Sequence, residues 1–180
     1  MDKIVNLSDY RHQVYQKKVY GFWEKHLGES FALNSRFTDL SDKVLYLLAE
    51  PGDVSTQLYY ELIMGVLDYG KADDFFYLDN HQKLTVVDIH MFLADHGRFE
   101  MMRRLGWLKN HPCLQDPLMA IVQQFDEIKP RCLVDLPVLV RSHHDYESYQ
   151  RLISREKQVF IRRMLHDALE VFKKRISISN

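Results

Sequence analysis

Nine histidines in 180 residues make metal chemistry the first function to look for. The tightest group is "SHHD", where His143 and His144 run directly into Asp145. Two imidazoles and a carboxylate are donors that suit zinc, iron or manganese. A divalent ion held there would bind substrate oxygens and lower the pKa of a bound water, which makes the nucleophile for a hydrolysis. Other signatures are missing. The sequence contains no HExxH, no ExxH pair of the kind found in di-iron bundles, no Walker A loop, no GxGxxG and no GxSxG. His90 and His96 stand six residues apart, so on a helix they point to different faces and do not share an ion.

With an upstream His90, His96 or His111 and a downstream Asp167, the His143, His144 and Asp145 group resembles the ligand order of HD-type metal phosphohydrolases. The resemblance implies a metal-dependent hydrolase. In that family a hydrophobic helix precedes the dyad, whereas here the preceding "LPVLVRS" is short and contains Pro137. Ser142 and Asp145 also have the spacing of a capping box, which explains the acid without any metal. The hydrolase is therefore the alternative reading, and the leading expectation is a chain without catalytic residues, metal or cofactor.

A second pattern concerns acids. "LIMGVLDYGKADDFFYL", residues 62–78, is echoed 27 residues later by "IHMFLADHGRFEMMRRL", residues 89–105. Met64 aligns with Met91, Asp68 with Asp95, Gly70 with Gly97 and Leu78 with Leu105, and Asp73 matches Glu100 conservatively. A helix that stops and restarts at once needs a residue at positive φ, which glycine supplies. Both glycines thus predict helix-turn-helix joints. Asp68 and Asp95 then fall at helix C-termini, where the macrodipole disfavours an anion. Residues set twice against a local preference suggest a use: Asp68, Asp73, Asp95 and Glu100 on one rim, with Asp74 and Asp79 nearby, facing a basic peptide or partner helix. The competing explanation is that each aspartate pairs with the adjacent Lys71 or Arg98, or accepts amide hydrogens at the start of the following helix. "LADHGRFEMMRRL" also resembles the helix-turn-helix half of an ankyrin repeat, although the TPLH opening is absent. That resemblance implies only a stacking of helical hairpins.

The elements that must position these groups are helical. A cap at Ser8 or Asp9 opens a helix of about five turns that Gly28 closes. A second begins near Leu40 or Ser41 and ends before Pro51. A third, capped by Asp53, runs to Tyr69. Thr85 to His96 and Arg98 to Leu108 follow as the echoing pair, and Pro117 opens a helix reaching Ile128. "CLVDLPVLV" reads as an extended segment or as a short helix opening at Pro137. From Ser142 onward the apolar stripe predicts a long terminal helix. Unbroken to Arg175 it would measure about 50 Å, so a break near Ser154 is expected.

Composition bounds the rest. With 46% hydrophobic and 27% charged residues, and Gly and Pro too few for a linker, residues 1–180 read as a single all-α domain of about seven helices. Residues 29–100 carry a net charge of −8 and residues 101–180 one of +5; internal attraction between these halves is favoured over two separate binding faces. The basic tail is too mixed with acids for a phosphate track, so nucleic acid is not an expected partner. No run reaches the roughly 18 apolar residues of a membrane span, and the start lacks a signal peptide's apolar core. The expectation is a cytoplasmic chain with free thiols at Cys113 and Cys132. Its leading function is a non-enzymatic interaction or regulatory module that binds a protein partner through the acidic central rim.

Overall fold

A computed structural model describes residues 6–111 and 115–178. The architecture is all-α, with no strand among the described residues beyond an isolated antiparallel bridge between Leu108 and Leu139. Helix α1 spans Leu7–Leu27, α2 Asp42–Ala49, α3 Asp53–Leu67 and α4 Asn80–Arg104. They are followed by α5 Leu118–Gln123, α6 Phe125–Val134, α7 Tyr146–Gln150, α8 Ser154–Arg163 and α9 Leu165–Ile178. Short 3-10 turns at Phe37–Asp39 and Ala72–Tyr77 precede α2 and α4.

Helix α3 is the central element. It touches α1, α2, α4 and α5, and it buries Leu58, Tyr59, Leu62, Ile63 and Met64 almost completely. Trp23 of α1 is fully buried against it and donates its indole N–H to the Leu58 carbonyl at 2.7 Å. That bond satisfies the one polar atom that makes a buried tryptophan costly. Helix α9 closes the far side against α2 and α4, with Phe172 and Ala168 at 0% exposure.

Several helix ends obey the sequence. Gly28 stops α1 at φ 71°, and the Ser41 hydroxyl caps α2 by accepting from the Val44 amide at 3.2 Å. Other ends shift. Asn6, not Ser8 or Asp9, caps α1. Gly52 precedes α3, leaving Asp53 in its first turn, where the dipole still favours an anion. Pro117 does open a helix, but Gln124, at φ −116° and ψ 32°, divides it into α5 and α6. The terminal stripe breaks at Arg151–Ile153 as its length requires, and again at Met164. Ser142 does not cap it: α7 begins after Asp145, with no side-chain cap. The segment from Leu136 to Val140 is extended, and Val140 donates its amide to Trp107 O.

The largest departure is at Gly97. The second joint does not exist, because α4 runs unbroken through Gly97 to Arg104, and the positive φ comes only beyond its end, at Gly106 (φ 77°). Only the first joint forms, and there Asp68 itself adopts the left-handed conformation at φ 62°, with Gly70 at φ 100°. A glycine inside a helix costs about 1 kcal/mol relative to alanine. Gly97 is kept there by close packing: a Cβ would stand 2.8 Å from the Tyr59 hydroxyl and 3.2 Å from a Phe37 ring carbon. The ankyrin-like stacking of hairpins falls with the joint. Cys132 departs from expectation too, being buried and disulfide-bonded instead of a free thiol, while Cys113 and Pro112 lie outside the described residues.

Two glycine substitutions separate these roles. Gly70→Ala, forced to positive φ, is expected to lose about 1 kcal/mol or more. Gly97→Ala gains helix propensity but over-packs the α3–α4 contact, for a net loss of about 1–2 kcal/mol. Urea denaturation measures both, and a Gly97→Ala protein more stable than the parent contradicts the close approach.

Candidate functional site

The four expected rim carboxylates do not share a rim. Glu100 has 0% exposure; its two oxygens accept from Arg103 at 2.6 and 2.7 Å, and one of them also accepts from Arg104 at 2.8 Å. It presents nothing to a partner. Asp95 lies within α4, partly buried, and accepts from Arg162 of α8 at 2.8 Å, with Arg98 at 3.5 Å. Asp68 and Asp73 are exposed, and Asp68 pairs with Lys18 at 2.5 Å. The acidic middle is thus extensively matched within the fold. Arg104 and Arg175 reach Asp42, Lys129 reaches Asp88, and Arg162 reaches Asp95.

At the first joint, exposed carboxylates and exposed aromatic rings occur in the same short segment. The turn Ala72–Tyr77 is fixed at its start by Asp74, which accepts the Lys71 amide at 2.8 Å. It is anchored by Phe75, whose ring lies 4.8 Å from that of Tyr60. Phe76 and Tyr77 then point outward, 78% and 89% exposed, among the exposed carboxylates of Asp68, Asp73, Asp74 and Asp79.

His143, His144 and Asp145 do come together, with one donor atom from each lying within 4.8 Å of the others. No other His, Cys, Asp or Glu among the described residues joins them, so neither His90, His96, His111 nor Asp167 completes the expected ligand set. The His143 Nδ1 accepts the Asp145 amide at 3.2 Å, which spends that lone pair and leaves the proton on Nε2. His144 Nε2 meets the Asp145 carboxylate at 3.0 Å. The three groups sit in the turn before α7, which has no side-chain cap, and His143 Nε2 is buried there without a hydrogen-bond partner.

A site that the sequence did not reveal lies between α4, α6 and α8, at a cavity of about 190 Å³. Phe92, Phe99, Leu133 and Leu136 supply apolar walls, and the Asp95–Arg162 and Asp88–Lys129 pairs flank them. Two histidines from distant sequence positions line it: His96 at 5% exposure and His111 at 4%. Their rings lie 5.6 Å apart at 67°. His96 Nδ1 faces the Phe92 carbonyl at 2.7 Å, and His111 Nε2 faces the Asp135 carbonyl. A carbonyl only accepts, so each of those nitrogens carries the proton. The opposite nitrogens, His96 Nε2 and His111 Nδ1, are buried with no hydrogen-bond partner. Burial lowers the His96 pKa to about 4, so this imidazole is neutral at pH 7. Nothing in either local sequence marks the pair, since His96 stands 15 positions from His111 and each fits the description of an ordinary core histidine.

Comparison with family models, with curated proteins and with solved structures finds no match to this chain. Among the described residues no helix is long and apolar enough to cross a membrane.

The His96 shift has a stability consequence with a definite sign. Its folded pKa, about 4, lies below the ordinary 6.5, so between those values the unfolded chain binds the proton and the folded one does not. Stability is full above pH 6.5 and falls as the pH drops toward 4, by roughly 3 kcal/mol in all. His96→Gln removes that component. Chemical denaturation of parent and variant from pH 7.5 to 4 is expected to give stability curves that converge on acidification, and parallel curves contradict the buried neutral assignment.

Proposed function

We propose that this chain is a non-enzymatic helical interaction or regulatory module whose contact surface is the first joint, residues 68–79. The acidic central rim expected from the sequence is reduced to Asp68 and Asp73, joined by Asp74 and Asp79. Asp95 and Glu100 leave it, because their carboxylates are taken by the fold's own arginines. The observation that carries the reading is the outward pair Phe76 and Tyr77, 78% and 89% exposed on a turn that is itself firmly anchored. Exposed aromatic rings on pre-ordered backbone are the kind of groups that dominate protein interfaces, because little entropy is lost when they are covered. Carboxylates around them select a partner segment with an apolar face and basic flanks, and act mainly on the association rate.

The alternative, a metal-dependent hydrolase at His143, His144 and Asp145, is supported by the closeness of the three donors. Against it stands the His143 Nδ1 already engaged by a backbone amide. Cytoplasmic residence belongs to the leading proposal, and the disulfide at Cys132 argues against it, since reducing compartments keep thiols free.

The test uses the whole protein displayed against a library of basic amphipathic peptides. Binders are expected whose affinity falls steeply between low and high salt and drops at least about tenfold, about 1.4 kcal/mol, for Phe76→Ser with Tyr77→Ser. That double variant should melt within a few degrees of the parent, because neither ring is part of the core. Binders indifferent to both substitutions, or none at all, contradict the assignment of this surface.

A further inference from the structure

We infer that the cavity between α4, α6 and α8 holds a transition-metal ion of the zinc or copper class, bound by His96 Nε2 and His111 Nδ1. The argument begins with two orphaned atoms. Burying a polar nitrogen without a partner costs free energy, and here two such nitrogens, on side chains 95% buried or more, line the same cavity. Both are bare lone pairs, because the other nitrogen of each ring is tied to a main-chain carbonyl. That is how metal-binding histidines are held: the distal N–H donates to a carbonyl or carboxylate, which fixes the tautomer and aims the free lone pair.

The spacing is one that a single ion can span. With metal–nitrogen bonds of about 2.0–2.1 Å, each ring centre stands roughly 3.2 Å from the metal. Two rings then lie about 5.2 Å apart around a tetrahedral ion and about 6.4 Å apart around a linear one, and the observed 5.6 Å falls between. Nitrogen donors exclude magnesium and calcium, which take oxygen, and suit zinc and copper. Two protein ligands leave coordination positions for water or a small ligand from the cavity. The site is separate from the His143, His144 and Asp145 turn, and from the surface at the first joint.

The experiment uses the full chain, stripped with chelator and dialysed against Zn²⁺, Cu²⁺ or Mg²⁺ before metal analysis. About one equivalent of zinc or copper is expected to stay bound, with no magnesium retained. His96→Gln and His111→Gln should each weaken retention at least tenfold, while His143→Ala with His144→Ala leaves it unchanged. X-ray absorption on that last variant, whose cavity is intact, should show two imidazoles on the metal, and this reading stands even where a glutamine variant fails to fold. A parent chain that retains neither ion, retention that survives in folded His96→Gln and His111→Gln, or fewer than two imidazoles in the spectrum overturns the inference.

Discussion

The fold is organised around a carboxylate that has been taken out of water. Glu100 is fully buried, and an ionised group in that position is tolerable only if its charge and lone pairs are answered at once. Arg103 and Arg104 answer it from the last turn of α4. Arg104 in turn donates to Asp42 of α2 at 2.8 Å and to the carbonyls of Phe37 and Thr38 at 3.1 and 3.3 Å. Arg175 of α9 then bonds the Arg104 carbonyl at 2.8 Å and approaches Asp42 at 3.3 Å. One buried charge thereby fixes the relative placement of α2, α4, α9 and the 3-10 turn before α2. It also accounts for much of the opposition between an acidic middle and a basic tail.

This constraint decides which surfaces are left for function. Helix α4 must stay continuous for Glu100 to point inward, and a continuous α4 carries Asp95 and His96 to the cavity beside α6 and α8. The same helix cannot bend at Gly97 to present acids outward. On the anchored turn after α3, by contrast, exposed carboxylates and exposed aromatic rings occur together, and the proposed contact surface is placed there.

Features set by local chemistry are legible in the sequence, and those set by distant neighbours are not. Gly28, Ser41 and Pro51 announce helix ends through their own backbone and hydroxyl chemistry, and the structure agrees at each. The echo misled because identical residues meet different neighbours. Met64 is buried and Met91 63% exposed, while Gly70 takes positive φ and Gly97 sits in a helix against Tyr59. A glycine needed for conformation and one needed for space look alike in a sequence. The competing reading, pairing with the adjacent base, holds for Asp95, which meets Arg98 as well as the distant Arg162, but not for Asp68, whose partner is Lys18 of α1 and not Lys71. The histidine pair was invisible for a similar reason, since the contact depends on how the segment after α4 packs back onto it.

The most direct test of this account is a double-mutant cycle between Glu100 and Arg104, read by chemical denaturation at low and high salt. Glu100→Gln alone is expected to cost roughly 3–5 kcal/mol, as for breaking any buried ion pair. Together with Arg104→Met, it should show a coupling of about 2 kcal/mol or more that salt barely reduces, because screening does not reach a buried contact. Additive losses, or a coupling that vanishes at 1 M salt, would mean that Glu100 is not the charge around which the helices are assembled.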